Sequence, residues 1–192
     1  MGRPKATLPF GAVSMLERMV AELHHGFTEL IIVAAPATDE TFSVEDLMSS
    51  YPVRVVRDEH RWGGPAAALA RGLAAARNDI VFACSSDLPL LTAEVARALC
   101  ATVGDHDAAV PEIGGRLQPL CAAYDRRSAT TIAAGEAAGE RRLIELVARL
   151  NLRRIGEEQL RTIDPELRCC VNVNTPADYE RALAIAGIRR SE

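Results

Sequence analysis

Apolar residues along the chain fall into two alternating patterns, continuous runs and helical stripes. Val13, Leu16, Met19 or Val20, and Leu23 recur at helical spacing and predict a helix from about residue 13, with Gly26 as its stop. Residues 29–35, continuously apolar from Leu30 onward and ended by Pro36, read as a buried strand. A polar stretch with a weak helix at 43–48 leads to a strand at 52–56, which delivers Arg57, Asp58 and Glu59 to its carboxyl end. Gly63, Gly64 and Pro65 then open a helix to about residue 77 whose packing face is nearly all alanine. A second continuous run, 80–84, breaks at Ser85-Ser86-Asp87-Leu88-Pro89, and Thr92 caps the helix that follows to 103.

Residues 108–111 and 119–124 read as a strand pair with a glycine turn between them. Helices are expected at 126–134, 140–150 and 157–162, with a short strand at 152–155. A strand is expected to end at Asn172-Val173-Asn174, where Thr175 caps a last helix with Pro176 first and Asp178 third. Residues 1–11 read as loop. Strands alternating with helices imply one α/β domain over 1–192, a three-layer α/β/α sandwich on a mostly parallel, Rossmann-like sheet. Ligands of such sheets bind beyond the carboxyl ends of the strands. That rim would gather the Lys5 loop, residues 58–65, Asp87, and residues 172–175. Asp87 there suits a hard cation such as Mg²⁺, although Ser-Asp-x-Pro is also plain turn chemistry.

Composition narrows the function classes. At 192 residues, 48% hydrophobic and 25% charged, the chain can build one soluble α/β core. Only 4% is aromatic, so that core rests on Ala, Val, Ile and Leu. A net charge of -4 gives no electrostatic reason to expect nucleic acid or a membrane surface as partner. No run reaches membrane-spanning length and no signal peptide is evident, which points to the cytoplasm. The five cysteines lack C-x-x-C spacing and read as reduced, and the four histidines show no zinc pattern.

In chain order, Lys5 with Leu8-Pro9-Phe10-Gly11, Gly64-Pro65 before its small-residue helix, Ser86-Asp87-Leu88-Pro89, Gln118-Pro119-Leu120, Gly139-Glu140-Arg141-Arg142 and Asn172-Val173-Asn174-Thr175-Pro176 resemble the motifs of the molybdenum cofactor guanylyltransferases. These enzymes have the nucleotide-diphospho-sugar transferase type of fold. The resemblance covers essentially the whole chain. Ala66-Ala67-Ala68 and Ser86 depart from the usual residues, and the family's first strand and Gly-rich loop are not found ahead of Met1. The resemblance therefore implies an N-terminally truncated domain. It also implies transfer of GMP from GTP to molybdopterin-bound molybdenum, with release of pyrophosphate and with Mg²⁺ as cofactor. Lys5 and Asp87 would be catalytic. Lys5, Asp58, Gly64, Pro65 and Asp87 would bind GTP. Asp87 and Asn174 would hold the metal, and Asn172 and Asn174 would face the pterin. Molybdoenzymes that take up the product are the implied partners. Two alternatives stay open: a cytidylyltransferase acting on the same pterin, and a nucleotide-binding relic without catalysis.

Overall fold

The computed structural model describes residues 5–34, 36, 45–57 and 64–189, so Asp58, Trp62 and Gly63 lie outside the described residues. After a 3₁₀ turn at Lys5–Thr7, strands β1 (Pro9–Phe10) and β2 (Val13–Ser14) pair antiparallel where a loop was expected. Gly11, with φ +77°, makes the turn between them. Helix α1 (Met15–His24) starts at Ser14, whose hydroxyl accepts from the Glu17 N–H at 3.1 Å. Gly26 follows its end for a reason the helix itself does not supply. A β-carbon there would lie 2.8 Å from that of Ala93.

Strand β3 (Leu30–Ala34), helix α2 (Glu45–Ser50) and strand β4 (Val53–Arg57) come next, and β3 and β4 pair in parallel. Helix α3 (Gly64–Ala75) begins at Gly64 with φ +74°. Strand β5 (Ile80–Cys84) leads to helix α4 (Ala93–Ala101), capped by Thr92 as its sequence predicts. Strands β6 (Ala108–Ile113) and β7 (Arg116–Leu117) make a hairpin, and β8 (Cys121–Asp125) follows. Helices α5 (Ser128–Ala137) and α6 (Leu143–Val147), strand β9 (Leu152–Gly156), and helices α7 (Glu157–Arg161) and α8 (Pro176–Ile185) complete the order. Helix α6 is shorter than the pattern at 140–150 suggests, because Arg142 before it is extended. The strand expected ahead of Asn172 is absent; a 3₁₀ turn, Arg168–Cys170, takes its place.

The larger sheet runs β5–β8–β6, with β7 and β9 both paired to β6. Strand β8 is antiparallel to both neighbours, so β5, β6 and β9 share one direction while β8 reverses it. Its two faces meet different helices. Ala108, Val110, Ala122 and Tyr124 pack with α3, α5 and α6, whereas Ala109, Cys121 and Ala123 pack with α1, α4 and α7. This is the expected three-layer α/β/α arrangement.

One break interrupts the layers. Strands β3 and β4 form a sheet of their own, unpaired with β5 among the described residues. Between β3 and β5 lies a cavity of about 720 Å³, walled by Leu16 and Met19 of α1, Leu69 and Gly72 of α3, Ile31 of β3 and Val81 of β5. Every residue of both strands is only half-buried, although their sequences are nearly all apolar. Strand β8, by contrast, is buried throughout.

Candidate functional site

Strand β5 ends at Cys84, and the chain turns through Ser85 and Ser86 to Asp87. The Ser85 N–H donates to the Leu120 carbonyl at 3.0 Å, and the Ser85 hydroxyl donates to Asp87 Oδ1 at 2.5 Å. That contact fixes the carboxylate at the carboxyl end of the strand, with its side chain 20% exposed. The Val173 N–H donates to the Asp87 carbonyl at 2.9 Å, which docks the segment carrying Asn172 and Asn174 against the same turn. Lys5 closes the group. Its Nζ donates to Asn174 Oδ1 at 2.5 Å and lies 3.5 Å from Asp87 Oδ2.

Four of the residues expected at the site, Lys5, Asp87, Asn172 and Asn174, therefore meet. Three of them, with Ser85, Gln118 and Pro119, line a pocket of about 260 Å³; Lys5 stands beside it. Gly64 and Pro65 do not join that pocket. Pro65 lines the larger cavity between β3 and β5, which reaches the site at Ser85 and Leu120. Among the described residues, nothing lies within 4 Å of where a β-carbon on Gly64 would stand, which leaves the backbone open on that side. Asp58 lies outside the described residues.

Each side of the group has its own support. The Tyr179 hydroxyl donates to the Pro9 carbonyl, and its ring meets Phe10 edge-on at 6.4 Å. Arg18 donates to the Pro89 carbonyl at 2.9 Å while its guanidinium lies over the Phe10 ring, 5.2 Å from the centroid. On the other side, Asp178 Oδ2 accepts from the N–H groups of Thr175 and Asn174, at 2.9 and 3.2 Å. The Thr175 hydroxyl, above all, and then its N–H hold the Asp178 carboxyl below the usual carboxylate range. The capping box predicted for α8 thus also steadies Asn174.

Two participants were not among the expected site residues. Gln118 belongs to a matched motif but was given no role, and Ser85 owes its part to a turn that sequence spacing does not reveal. Cys84 is adjacent but inert. Burial, and then the Asp87 carboxylate, push its thiol up to about 12, so it stays protonated at neutral pH. The group offers an ammonium, a carboxylate and neutral amide oxygens. That set can neutralise and position phosphates and hold a hard cation, and it suits direct transfer between bound substrates.

Comparison with known proteins bears on this site. A family model described as the MobA-like NTP transferase domain matches residues 1–155. A protein of Carboxydothermus hydrogenoformans named "Probable molybdenum cofactor guanylyltransferase" is 31% identical over 189 residues, 98% of this chain and 91% of its own. A protein of the same name from Mycobacterium tuberculosis is 33% identical over 183 residues, 92% and 84% of the two chains. Among solved structures, molybdopterin-guanine dinucleotide biosynthesis protein A from Archaeoglobus fulgidus superposes with a TM-score of 0.81 at 24% identity, over 97% of this chain and 92% of its own. The 2-C-methyl-D-erythritol 4-phosphate cytidylyltransferase of Thermus thermophilus gives 0.69 at 19% identity, over 96% and 95%. At these identities the two structures show a shared fold.

Proposed function

Because the chain belongs to the MobA-like NTP transferase family, we propose that it transfers GMP from GTP to molybdopterin-bound molybdenum cofactor, forming the guanine dinucleotide and releasing pyrophosphate. The observation that carries this reading is the convergence of Lys5, Asp87 and Asn174, brought together from opposite ends of the chain. In the reaction the substrate's terminal phosphate attacks the α-phosphorus of GTP in line, and pyrophosphate leaves. Two anions must approach each other, so neutralising and aligning them is the main catalytic demand.

Lys5 answers that demand as a compact point charge on the phosphates. Asn172 and Asn174 present carboxamides on the pterin side, and their neutrality favours the guanylyl reading over a cytidylyl branch expected to carry Asp-x-Asp. Gly64, Pro65 and Asp58 are assigned to the nucleotide. The oxygens of Asp87 and Asn174 suit Mg²⁺: both are hard donors, and they already flank the Lys5 ammonium. Mg²⁺ held there would supply charge neutralisation to the triphosphate. The reading makes the protein cytoplasmic, and among the described residues no helix is long and apolar enough to cross a membrane.

The test supplies purified chain with molybdopterin, Mg²⁺ and either GTP or CTP, and follows pyrophosphate and dinucleotide product. GTP-dependent product is expected. Preference for CTP would identify the cytidylyltransferase, and nucleotide binding without product would identify the relic.

A further inference from the structure

Three of the five cysteines converge, and the proposed transfer reaction uses none of them. Cys121 on β8 is 2% exposed and Cys169 in the Arg168–Cys170 turn is fully buried, while Cys170 beside it is half-buried. Their sulfur atoms all lie within 4.8 Å of one another, and those of Cys169 and Cys170 are 3.6 Å apart. Consecutive side chains of an extended segment point to opposite faces, so neighbouring thiols meet only if the backbone brings them round.

The backbone here does so. Leu167 takes a left-handed conformation, φ +52°, which a leucine adopts only when its surroundings impose it. Buried Asp164 accepts from the Cys169 N–H at 2.7 Å, its carbonyl accepts from the Leu167 N–H at 2.9 Å, and the Leu167 carbonyl accepts from the Cys170 N–H at 3.1 Å. These bonds fold the segment so that both thiols face Cys121.

We propose that Cys121, Cys169 and Cys170 form a binding site for a soft divalent cation of the zinc class. Zinc–sulfur bonds of about 2.3 Å in a tetrahedron set ligand sulfurs about 3.8 Å apart, so the trio needs only a modest contraction. The donor set is all sulfur, which selects a thiophilic ion over Mg²⁺ or Ca²⁺. Cys121 also lines the 260 Å³ pocket, which gives an ion a route in and leaves the fourth position for water. Binding would displace thiol protons to solvent. A bound ion would tie β8 to the segment that continues into Asn172, independently of any nucleotide.

Cd²⁺ serves as the probe, because cadmium bound through thiolates adds an ultraviolet charge-transfer band that cadmium bound only through oxygen lacks. Wild-type chain should take up one Cd²⁺, and X-ray absorption at the cadmium edge should count three sulfurs. Cys170→Ser and Cys121→Ser should each weaken Cd²⁺ binding by more than about 100-fold, whereas Cys100→Ser should leave it unchanged. Fewer than three sulfurs on wild-type-bound cadmium, or equal loss in Cys100→Ser, overturns the assignment. The wild-type sulfur count decides the question even if a core variant fails to fold.

Discussion

The cavity between β3 and β5 has the dimensions of one strand. Five extended residues at a rise of ~3.3 Å, with ~4.8 Å between strands and ~10 Å between packed layers, occupy roughly 800 Å³; the cavity is about 720 Å³. The edges of β3 and β5 that face it are unpaired among the described residues. The perturbation is therefore an extension ahead of Met1 of about 15 residues, a five-residue apolar strand and a glycine-bearing turn, on usual strand and loop lengths. Lys5 lies at the carboxyl end of β5 beside Asp87, so a strand leading out of the cavity to Lys5 would run parallel to β5. Burying each apolar side chain stabilises by roughly 1.5–3 kcal/mol, against about 1.5 kcal/mol to order a residue. Over five residues the net gain is about 4 kcal/mol, which for a chain of this size raises the melting temperature by roughly 8–16 °C. Thermal melts and GTP titrations of the two chains side by side are the assay, with a control whose added strand carries aspartates at alternate positions. The turn would add backbone N–H donors to the phosphate site, so GTP affinity should rise with stability. Equal melting temperatures and equal GTP affinity for the two chains would refute the reasoning.

Asp87→Ala should lower nucleotidyl transfer by roughly 10²–10³-fold, the scale of losing one preorganised charge-stabilising group. Its side chain is partly exposed, so stability should change by no more than about 0.5 kcal/mol; wild-type turnover in Mg²⁺ would contradict this. Gly26→Ala should cost about 1–3 kcal/mol in a denaturant titration, because the Ala93 β-carbon it would strike belongs to a helix that cannot swing aside; an unchanged midpoint would contradict it. Acid should destabilise the fold through Asp125 and Glu29. The Arg127 side chain, first, holds the Asp125 carboxyl low, and the Arg77 N–H, helped by Arg54, does so for Glu29. Depressed carboxyls stabilise fully above their ordinary values of 3.8 and 4.5 and lose that contribution as pH falls through the lowered ones. Stability measured by denaturation from neutral pH to about pH 2 should thus fall less steeply in Asp125→Asn; an unchanged slope would contradict it.

Element types were legible wherever side-chain chemistry is local. Thr92 and the Thr175, Pro176 and Asp178 series mark their helix starts because capping depends on residues within one turn. Strand direction was not legible. The apolar run of β8 suits a buried strand running either way, and only its partners set it antiparallel. The hairpin of β1 and β2 has two residues per strand, too few to show a period. Residues 171–174 alternate apolar and polar like a strand, yet Asp164 and left-handed Leu167 impose a 3₁₀ turn just before them. At the site, the motifs carrying Lys5, Asp87, Asn172 and Asn174 were each visible in sequence. Ser85 was not, since its bond to Asp87 exists only once the turn is made.

Lys5 and Asn174 stand 169 residues apart and still share a hydrogen bond, so something other than chain proximity must hold them in register. The packing supplies it. Phe10, Met15, Leu90, Val173, Ala182 and Leu183 form a buried cluster of their own, drawing on the N-terminal hairpin, the start of α1, the segment after Asp87, and α8 with its lead-in. Each polar member of the site lies within a few residues of one of these anchors: Lys5 of Phe10, Asp87 of Leu90, Asn172 and Asn174 of Val173. The cluster does not border the cavity between β3 and β5. The residues proposed to meet metal and pterin therefore rest on one packed unit. Pro65, proposed for the nucleotide side, rests on another whose neighbouring strands are only half-buried. Filling the cavity should on this account act mainly on nucleotide affinity and global stability, while the Lys5–Asp87–Asn174 geometry changes little.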